Sequence, residues 1–287
     1  MTQRTIVITG ASDGIGAAAA RQLVSQGEQV VIVGRSPEKT AQVARELGVP
    51  HHFADYASLA QVRRLAAEMD AAYPRIDVLA NNAGGIFGHR QLTEDGNELT
   101  LQVNHLAGFL LTTLLLPKLV ESNATVIQTA SDAARRMARY DPDDLQCARG
   151  YSIWRAYGNS KLANIMFARE LHRRCHKDGI SAAALHPGVV GSNFGNSSTW
   201  ATRLFYSLPF LKNRFLLSPE RGADTLVWLA EGTPGTTWQW VTSTTRGSPS
   251  RCHHRRRTTT SPAACGTTPN GSWPTEFGPS PRSTRLH

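Results

Sequence analysis

The chain has 287 residues, of which 40% are hydrophobic and 18% charged, a composition typical of a globular protein long enough for one large domain. Residues 1–239 carry 24 Lys and Arg against 21 Asp and Glu, whereas residues 240–287 carry seven Arg and one Glu, so most of the net charge of +9 lies in the tail and the body does not resemble a nucleic-acid binder. Because there is no membrane-spanning apolar run, no signal peptide, and no zinc or disulfide spacing among the four cysteines, we expect a reduced, cytoplasmic protein without a metal.

Short apolar runs alternate with amphipathic helical patterns along the chain. Strands are predicted at residues 5–9, 30–33, 51–55, 78–80, 125–129 and 180–185. Helices are predicted at residues 15–26, 37–47, 59–72, 97–116, 157–174 and 219–231. This alternation predicts an α/β fold: a Rossmann-like, doubly wound parallel sheet with helices on both faces, in a single domain.

A glycine-rich turn, TGASDGIG at residues 9–16, joins the first strand to the first helix. Gly10 permits a tight exit from the strand, Gly14 lets the backbone approach a pyrophosphate, and Gly16 lets the helix pack close to the sheet. The free amides and positive dipole end of the helix would then face the phosphates. Glycines also serve ordinary turns, but this position between strand and helix favours a dinucleotide site.

The end of the second strand, VVIVGRS, distinguishes between the two nicotinamide cofactors. Arg35 stands at this turn, and no carboxylate is present there to hold the ribose hydroxyls of NAD. A guanidinium pairs well with a 2′-phosphate, and Ser12 could donate a second hydrogen bond, so NADP is favoured and NAD is less expected. The alternative is that Arg35 is a solvated cation in a loop.

Tyr157 and Lys161 lie four residues apart in the helical stretch AYGNSKLANIMF. Positions i and i+4 share one helix face, roughly 6 Å apart. A lysine there could hold the tyrosine hydroxyl, whose ordinary pKa is about 10, near ionisation. On spacing alone, the two residues could equally be neighbours on a helix surface.

Four further motifs accompany this pair: NNAG at residues 81–84, VNH around Asn104, VIQTAS ending at Ser131, and HPGVVGS at residues 186–192. Together with the glycine turn and Tyr157-x-x-x-Lys161, they resemble the short-chain dehydrogenase/reductase family over about residues 4–235. VNHLAGFLLT, the insert at residues 141–151 and YGNSKLANIMF are similar to the retinol-dehydrogenase and protochlorophyllide-reductase-like branch.

The resemblance implies four catalytic residues. Tyr157 would pass a proton to or from the substrate oxygen, and its pKa would be lowered by the charged Lys161 and by the nicotinamide ring when oxidised. Ser131 would orient the substrate oxygen, and Asn104 would hold a water that links Lys161 to solvent. His186 is expected to be structural, because no motif gives it an acid or base role.

The resemblance also implies a cofactor site that extends from the glycine turn. Asp55 would bind the adenine amino group, the NNAG turn would line the adenosine side, and the HPGVVGS motif would seat the nicotinamide. The expected cofactor-binding residues are Gly10, Ser12, Asp13, Gly14, Ile15, Gly16, Arg35, Asp55, Asn81, Ala83, Gly84, Tyr157, Lys161, Pro187, Gly188, Val189 and Ser192.

Residues 192–217 mix large apolar side chains with small polar ones. This pattern is typical of an apolar lid over a substrate, so we expect a hydrophobic alcohol or carbonyl compound. The segment could instead form a helix pair that covers the sheet, or a membrane-surface contact.

The tail departs from the family pattern. The dehydrogenase domain is predicted at residues 1–235, and residues 236–287 are Arg/Ser/Thr/Pro-rich and typical of disorder. If the nucleotides that encode residues 258–275 are read in a frame shifted by two bases, they are compatible with the sequence DDDLARRLWDDAERLVAD. This sequence is typical of an amphipathic helix of the type that ends this family. We therefore expect that a frameshift near Gln239 replaced the native C-terminus, which would leave the strand at residues 180–185 as an unpaired sheet edge.

The sequence thus predicts an NADP-dependent oxidoreductase acting on a small hydrophobic alcohol, aldehyde or ketone, in a possible homo-oligomer. An alternative is a catalytically silent NADPH-binding protein that acts through regulatory or interaction contacts. A nucleic-acid binder would rest only on the HHRRR run of the tail, and is not expected.

Overall fold

Seven parallel strands form one sheet in the computed structural model, which describes residues 4–188, 217–232 and 242–243. The sheet order is β3-β2-β1-β4-β5-β6-β7, with strands β1 (Thr5–Thr9), β2 (Gln29–Gly34), β3 (His51–Phe53), β4 (Val78–Asn81), β5 (Thr125–Thr129), β6 (Ser181–Leu185) and β7 (Thr242–Ser243). The order reverses between β1 and β4, which is the switch point where doubly wound sheets bind their ligands. The predicted fold class is confirmed.

The helices connect successive strands and cover both faces of the sheet. Their bounds are α1 (Gly14–Ser25), α2 (Pro37–Leu47), α3 (Leu59–Ala72), α4 (Leu99–Leu101), a π-helix (Gln102–Leu106), α5 (Ala107–Leu114), α6 (Leu116–Glu121), α7 (Ala133–Arg136), α8 (Ile153–Cys175), a 3₁₀ turn (His176–Asp178) and α9 (Pro219–Glu231). None of these helices combines the length and apolarity needed to cross a bilayer.

The helix predicted at residues 97–116 is divided in the structure. A π-helix turn at Gln102–Leu106 interrupts it, and a new helix, α6, begins at Leu116. Pro117 does not end the helical region, because it lies in the first turn of α6. A backbone N–H at that position would have no intrahelical acceptor, so its absence costs no hydrogen bond. Single-turn π-helices are frequent at functional sites, and this one carries Asn104.

Helix α8 begins at Ile153, four residues before the predicted start. The hydroxyl of Ser152 accepts a hydrogen bond from the backbone N–H of Arg155 at 3.4 Å and caps this end. The extra turn places Trp154 three residues before Tyr157, on a neighbouring part of the same helix face.

Alternate residues of each strand enter two separate cores. Ile6 and Ile8 of β1 pack with α1, α2 and α9 on one face, whereas Val7 packs with α3, α5 and α8 on the other. The period of two follows from the pleat of a strand that is covered on both sides. This double burial rigidly positions the carboxyl ends of the strands.

The edge at β6 differs from the expectation of an unpaired strand. Thr242 and Ser243 pair in parallel with Ala184 and Leu185, so the tail itself supplies two residues of a seventh strand. Unpaired backbone N–H and C=O groups at an open sheet edge are available for hydrogen bonding, and even a short segment can pair with them. The expectation was therefore wrong for this end of β6. The other expectations for residues 236–287, disorder and a frameshift origin, fall almost wholly outside the described residues.

Candidate active site

A cleft of about 1120 Å³ opens at the carboxyl ends of β1, β2, β4 and β5. It brings together most of the predicted site residues: Gly10, Ser12, Asp13, Gly14, Ile15, Arg35, Asp55, Ala83, Gly84, Ser131, Tyr157, Lys161, Pro187 and Gly188. Gly16, Asn81 and Asn104 lie behind its surface, and Val189 and Ser192 lie outside the described residues. The cleft occupies the switch point of the sheet, where a ligand is expected.

The glycine turn is built so that backbone segments meet without side chains between them. A Cβ atom at Gly10 would lie 2.7 Å from Ala83 Cα, and one at Gly16 would lie 2.4 Å from Gly10 O. Gly10 and Gly14 also have positive φ angles of +66° and +54°. Asp13 caps α1 by accepting from Gly14 N at 2.7 Å. The turn therefore presents the N-terminus of α1 to the cleft, as binding of a pyrophosphate requires.

Cationic and hydroxyl groups line the end of the cleft beside β2. Arg35 is exposed there, and Ser12 and Asp55 line the same region. A Cβ atom on Gly34 would lie 2.9 Å from Ser12 Cβ, which shows how closely the two turns approach. Lys39, in the first turn of α2, also lines this end and was missed from the sequence, because Arg35 precedes the helix and helical spacing does not relate the two residues.

Tyr157 and Lys161 lie in the first half of α8 and face the cleft at its β5 end. Lys161 Nζ lies 5.7 Å from the centre of the Tyr157 ring and donates to Thr129 O at 2.9 Å. The lysine is 2% exposed, and burial lowers its pKa to about 8. A helix neighbour on the protein surface would not be desolvated in this way, so the surface interpretation of the pair is wrong.

Asn104 lies behind the cleft, where its side chain is fully bonded. Its Oδ1 accepts from Gly85 N at 2.8 Å, while its Nδ2 donates to Gly85 O at 2.9 Å and to Ser160 Oγ at 3.1 Å. A Cβ atom on Gly84 would lie 3.0 Å from Asn104 Oδ1 and 3.3 Å from Lys161 Nζ, so all three groups are close. Asn104 therefore joins Gly85, the residue after the NNAG motif, to Ser160 of α8.

The two asparagines of the NNAG motif have different surroundings. Asn81 is buried and donates to Thr112 Oγ1 at 2.8 Å, away from the cleft. Asn82, which the sequence analysis passed over, lines the cleft. It donates to Thr9 O at 3.0 Å and accepts from Thr129 Oγ1 at 3.3 Å. Asn82 therefore joins β1, β4 and β5 at the cleft floor.

Ser131 lines the cleft just beyond β5, on the same wall as Tyr157. Its Oγ accepts from Ala133 N at 3.2 Å, so the hydroxyl proton is not used in that bond. His186 Nδ1 accepts from Asp132 N at 3.3 Å, and burial lowers the pKa of this imidazole. His186 is thus neutral near pH 7 and braces the loop that carries Ser131, which agrees with a structural role.

The open side of the cleft near Tyr157 is lined by apolar groups that the sequence analysis did not single out. They are Ile86, Phe87, Met137 and Trp154. Trp154 and Met137 are 44% and 36% exposed, although large apolar side chains are usually covered. Leu217 is the residue of the predicted lid that the structure describes, and it lines the cleft too.

Comparison with known proteins agrees with this geometry. The family model described as short chain dehydrogenase matches residues 4–201. A protein of Streptomyces sp. (strain C5) named "Putative daunorubicin C-13 ketoreductase DnrU" is 49% identical over 234 residues, covering 79% of this chain and 78% of that protein. Retinol dehydrogenase 13 of Homo sapiens is 37% identical over 237 residues, covering 79% and 72%.

Solved structures share the same architecture. The crystal structure of a Mycobacterium paratuberculosis protein is 35% identical with a TM-score of 0.64, covering 82% of this chain and 79% of that one. The closed form of serine dehydrogenase complexed with NADP⁺ has a TM-score of 0.64 at 24% identity, covering 80% and 90%, and shows a shared fold. The chain belongs to the short-chain dehydrogenase/reductase family of oxidoreductases, in its retinol-dehydrogenase-like branch.

Proposed function

We propose that this oxidoreductase transfers a hydride between NADP(H) and a hydrophobic alcohol or carbonyl compound, with Tyr157 as general acid/base. The observation that carries the proposal is the buried Lys161 ammonium, 5.7 Å from the Tyr157 ring at the cleft wall. Arg35 follows the carboxyl end of β2, and Tyr157 lies beside β5. These two strands are three strand spacings apart in the sheet, or about 14 Å. Such a span suits a dinucleotide that lies across the switch point.

Two cations beside β2 support NADP over NAD. Arg35 and Lys39 line the cleft with the hydroxyls of Ser12 and Ser36, and together they fit a phosphate on the adenosine ribose. Asp55 lines the same end, where it fits the adenine amino group. Its Oδ1 accepts from Ala57 N at 3.0 Å, which fixes the direction of the carboxylate.

Three side chains of this protein handle the proton and the substrate oxygen. Tyr157 gives a proton to a carbonyl oxygen or takes one from an alcohol, and the Lys161 charge stabilises the phenolate form. Ser131 donates its hydroxyl proton to the same substrate oxygen and orients it. Bound NADP(H) supplies or accepts the hydride.

The apolar side chains around the open end support a hydrophobic substrate. Trp154, Met137, Phe87 and Ile86 offer aromatic and thioether surface next to Tyr157. The names of two relatives, a daunorubicin C-13 ketoreductase and a retinol dehydrogenase, favour a ring-bearing ketone, aldehyde or alcohol. The substrate lid at residues 192–217 is part of this proposal.

The test is NADPH consumption with a panel of apolar aldehydes and ketones, repeated with Tyr157→Phe. We expect the wild-type protein to reduce ring-bearing compounds and the variant to lose about 10²-fold or more in kcat while NADPH binding persists. Full activity of Tyr157→Phe would refute the role of Tyr157. NADPH binding without turnover of any compound would favour the silent binding module, which the enzyme names of the relatives do not favour. The cytoplasmic location and the homo-oligomer stay predictions.

A further inference from the structure

Asn164 lies on α8, three residues after Lys161, and all of its side-chain hydrogen-bonding groups are engaged in the protein interior. Its Nδ2 donates to Thr129 O at 3.2 Å and to Asn104 O at 3.0 Å, which uses both amide hydrogens. Its Oδ1 is 3.0 Å from His105 Nδ1. Asn164 is 2% exposed and does not line the cleft.

Asn164 and Lys161 share one acceptor. Thr129 O receives Nζ of Lys161 at 2.9 Å and Nδ2 of Asn164 at 3.2 Å, so both lone pairs of that carbonyl are used. The shared carbonyl ends β5, whereas Asn104 O, the second acceptor of Asn164, belongs to the π-helix. One carboxamide thus joins α8, β5 and the π-helix around the lysine.

His105 sets the orientation of this carboxamide. Since Oδ1 of Asn164 can only accept, His105 must carry its proton on Nδ1 and donate it. Burial lowers the pKa of His105 to about 4, so the ring stays neutral and keeps this donor role at physiological pH. Phe109 and Phe167 pack around the ring, with centroids 6.1 Å and 6.3 Å away.

We propose that Asn164, oriented by His105, is a positioning residue that holds the Lys161 ammonium at the Tyr157 phenol. The inference rests on the proposed function of Tyr157. Without the carboxamide, Thr129 O and Asn104 O each lose a donor, and α8 is tied less firmly to the π-helix, to which Ser160 Oγ still bonds through Asn104 Nδ2. Lys161 keeps its own bond to Thr129 O, but this acceptor is then held less firmly against α8, so the ammonium shifts relative to the phenol and its stabilisation of the phenolate weakens. Among the described residues, the titratable groups that face Lys161 are Tyr157 on the same helix and His105 on the π-helix.

The test reads the ionisation of Tyr157 directly and does not require turnover. The ultraviolet absorbance of tyrosinate is titrated against pH, and the Tyr157→Phe titration is subtracted to isolate this residue among the six tyrosines. We expect the midpoint of the Tyr157 transition to rise by about one pH unit in Asn164→Ala. In activity assays, kcat should fall about tenfold while the Kd of NADPH changes less than about twofold.

Asn159→Ala is the matched control. Asn159 is a buried asparagine on the same helix, but it binds the backbone of Arg139, with N–H···Oδ1 at 2.8 Å and Nδ2···O at 3.2 Å. Its removal should lower the melting temperature without moving the Tyr157 midpoint. An equal shift in both variants would overturn the proposal, because it would reflect general loosening of α8.

His105→Leu gives a second measurement if Asn164→Ala does not fold. It removes the donor to Asn164 Oδ1 and keeps apolar contact with the two phenylalanines. We expect a smaller rise of the Tyr157 midpoint in the same direction. An unchanged midpoint in the folded variant would overturn the proposal, whereas the failure of Tyr157 to act in catalysis would show only in the activity of Tyr157→Phe.

Discussion

Lys161 Nζ donates a 2.9 Å hydrogen bond to the main-chain oxygen of Thr129, the last residue of β5. This bond joins the first half of α8 to the carboxyl end of the sheet, and it holds Lys161 at the cleft wall, where the residue is only 2% exposed. Burying a charged lysine costs free energy, which the fold recovers only in part through this bond and the neighbouring phenol.

Lys161→Met should inactivate the enzyme and stabilise the fold. Because burial lowers the Lys161 pKa from 10.5 to about 8, the charged form is less stable in the folded than in the unfolded chain at neutral pH. Methionine fills similar space without a charge, and Thr129 O keeps its bond from Asn164. We expect a gain of about 1–2 kcal/mol in the free energy of unfolding at pH 7, measured by urea denaturation.

The gain should shrink as the pH rises from about 8 to 10.5. In that interval the folded lysine is already neutral while the unfolded lysine still binds a proton, so the wild-type protein becomes relatively more stable. A variant that is less stable than wild type at pH 7 would contradict the buried-charge argument.

Activity should decline on the alkaline side of the Lys161 pKa. The ammonium is present below about pH 8 and is lost above it, and its stabilisation of the Tyr157 phenolate disappears with it. We expect kcat/KM for ketone reduction to fall above about pH 8, because this parameter reports the pKa values of essential groups in the free enzyme. His105 and His186 do not contribute a charge change there, because burial lowers both of their pKa values. A flat profile through pH 9 would be inconsistent with this assignment.

Arg35→Asp should reverse the cofactor preference. The change removes a cation that lines the cleft and adds a carboxylate able to hold ribose hydroxyls. Loss of a charge-assisted bond predicts a rise of roughly 10–100-fold in the KM for NADPH, with a lower KM for NADH. Arg45→Asp makes the same charge change on α2 at a residue outside the cleft, and should leave both KM values within about twofold. Equal effects of the two variants would indicate only long-range electrostatics.

Trp154→Ala should weaken binding of ring-bearing substrates. Removing an indole that is exposed at the cleft mouth deletes apolar contact area worth roughly 1–2 kcal/mol, or about tenfold in KM. Small aliphatic aldehydes should show little change. Leu92→Ala, at an exposed apolar residue that does not line the cleft, is the control. If Trp154→Ala affects all substrates equally, the indole does not select for rings.

Restoring the shifted reading frame after Gln239 should stabilise the protein. The present tail supplies two residues to the edge of β6, whereas the shifted frame is compatible with an amphipathic helix at residues 258–275. We expect the melting temperature to rise by about 5 °C or more, both with and without NADPH. Equal melting temperatures would argue against a displaced native terminus, and resequencing of the gene would test the frameshift itself.

Much of the fold could be predicted because its signals are local. The alternating pattern located β1 and β5 and the bounds of α2, α3 and α9, since hydrophobic periodicity reflects burial directly. The π-helix and the four-residue extension of α8 were missed. Both depend on contacts from elsewhere in the chain, such as the bonds between Asn104 and Gly85, which no window of sequence contains.

By itself, the sequence determined the family, the cleft-forming turns and the pairing of Tyr157 with Lys161, because each is carried by a short motif whose geometry follows from its residues. Only the tertiary structure decided that Asn82, not Asn81, faces the cleft, that Lys39 joins Arg35, and that Asn164 shares an acceptor with Lys161. The physical reason is that burial and hydrogen-bond partners are set by segments far apart in the chain: 32 and 35 residues separate Thr129 from its two donors.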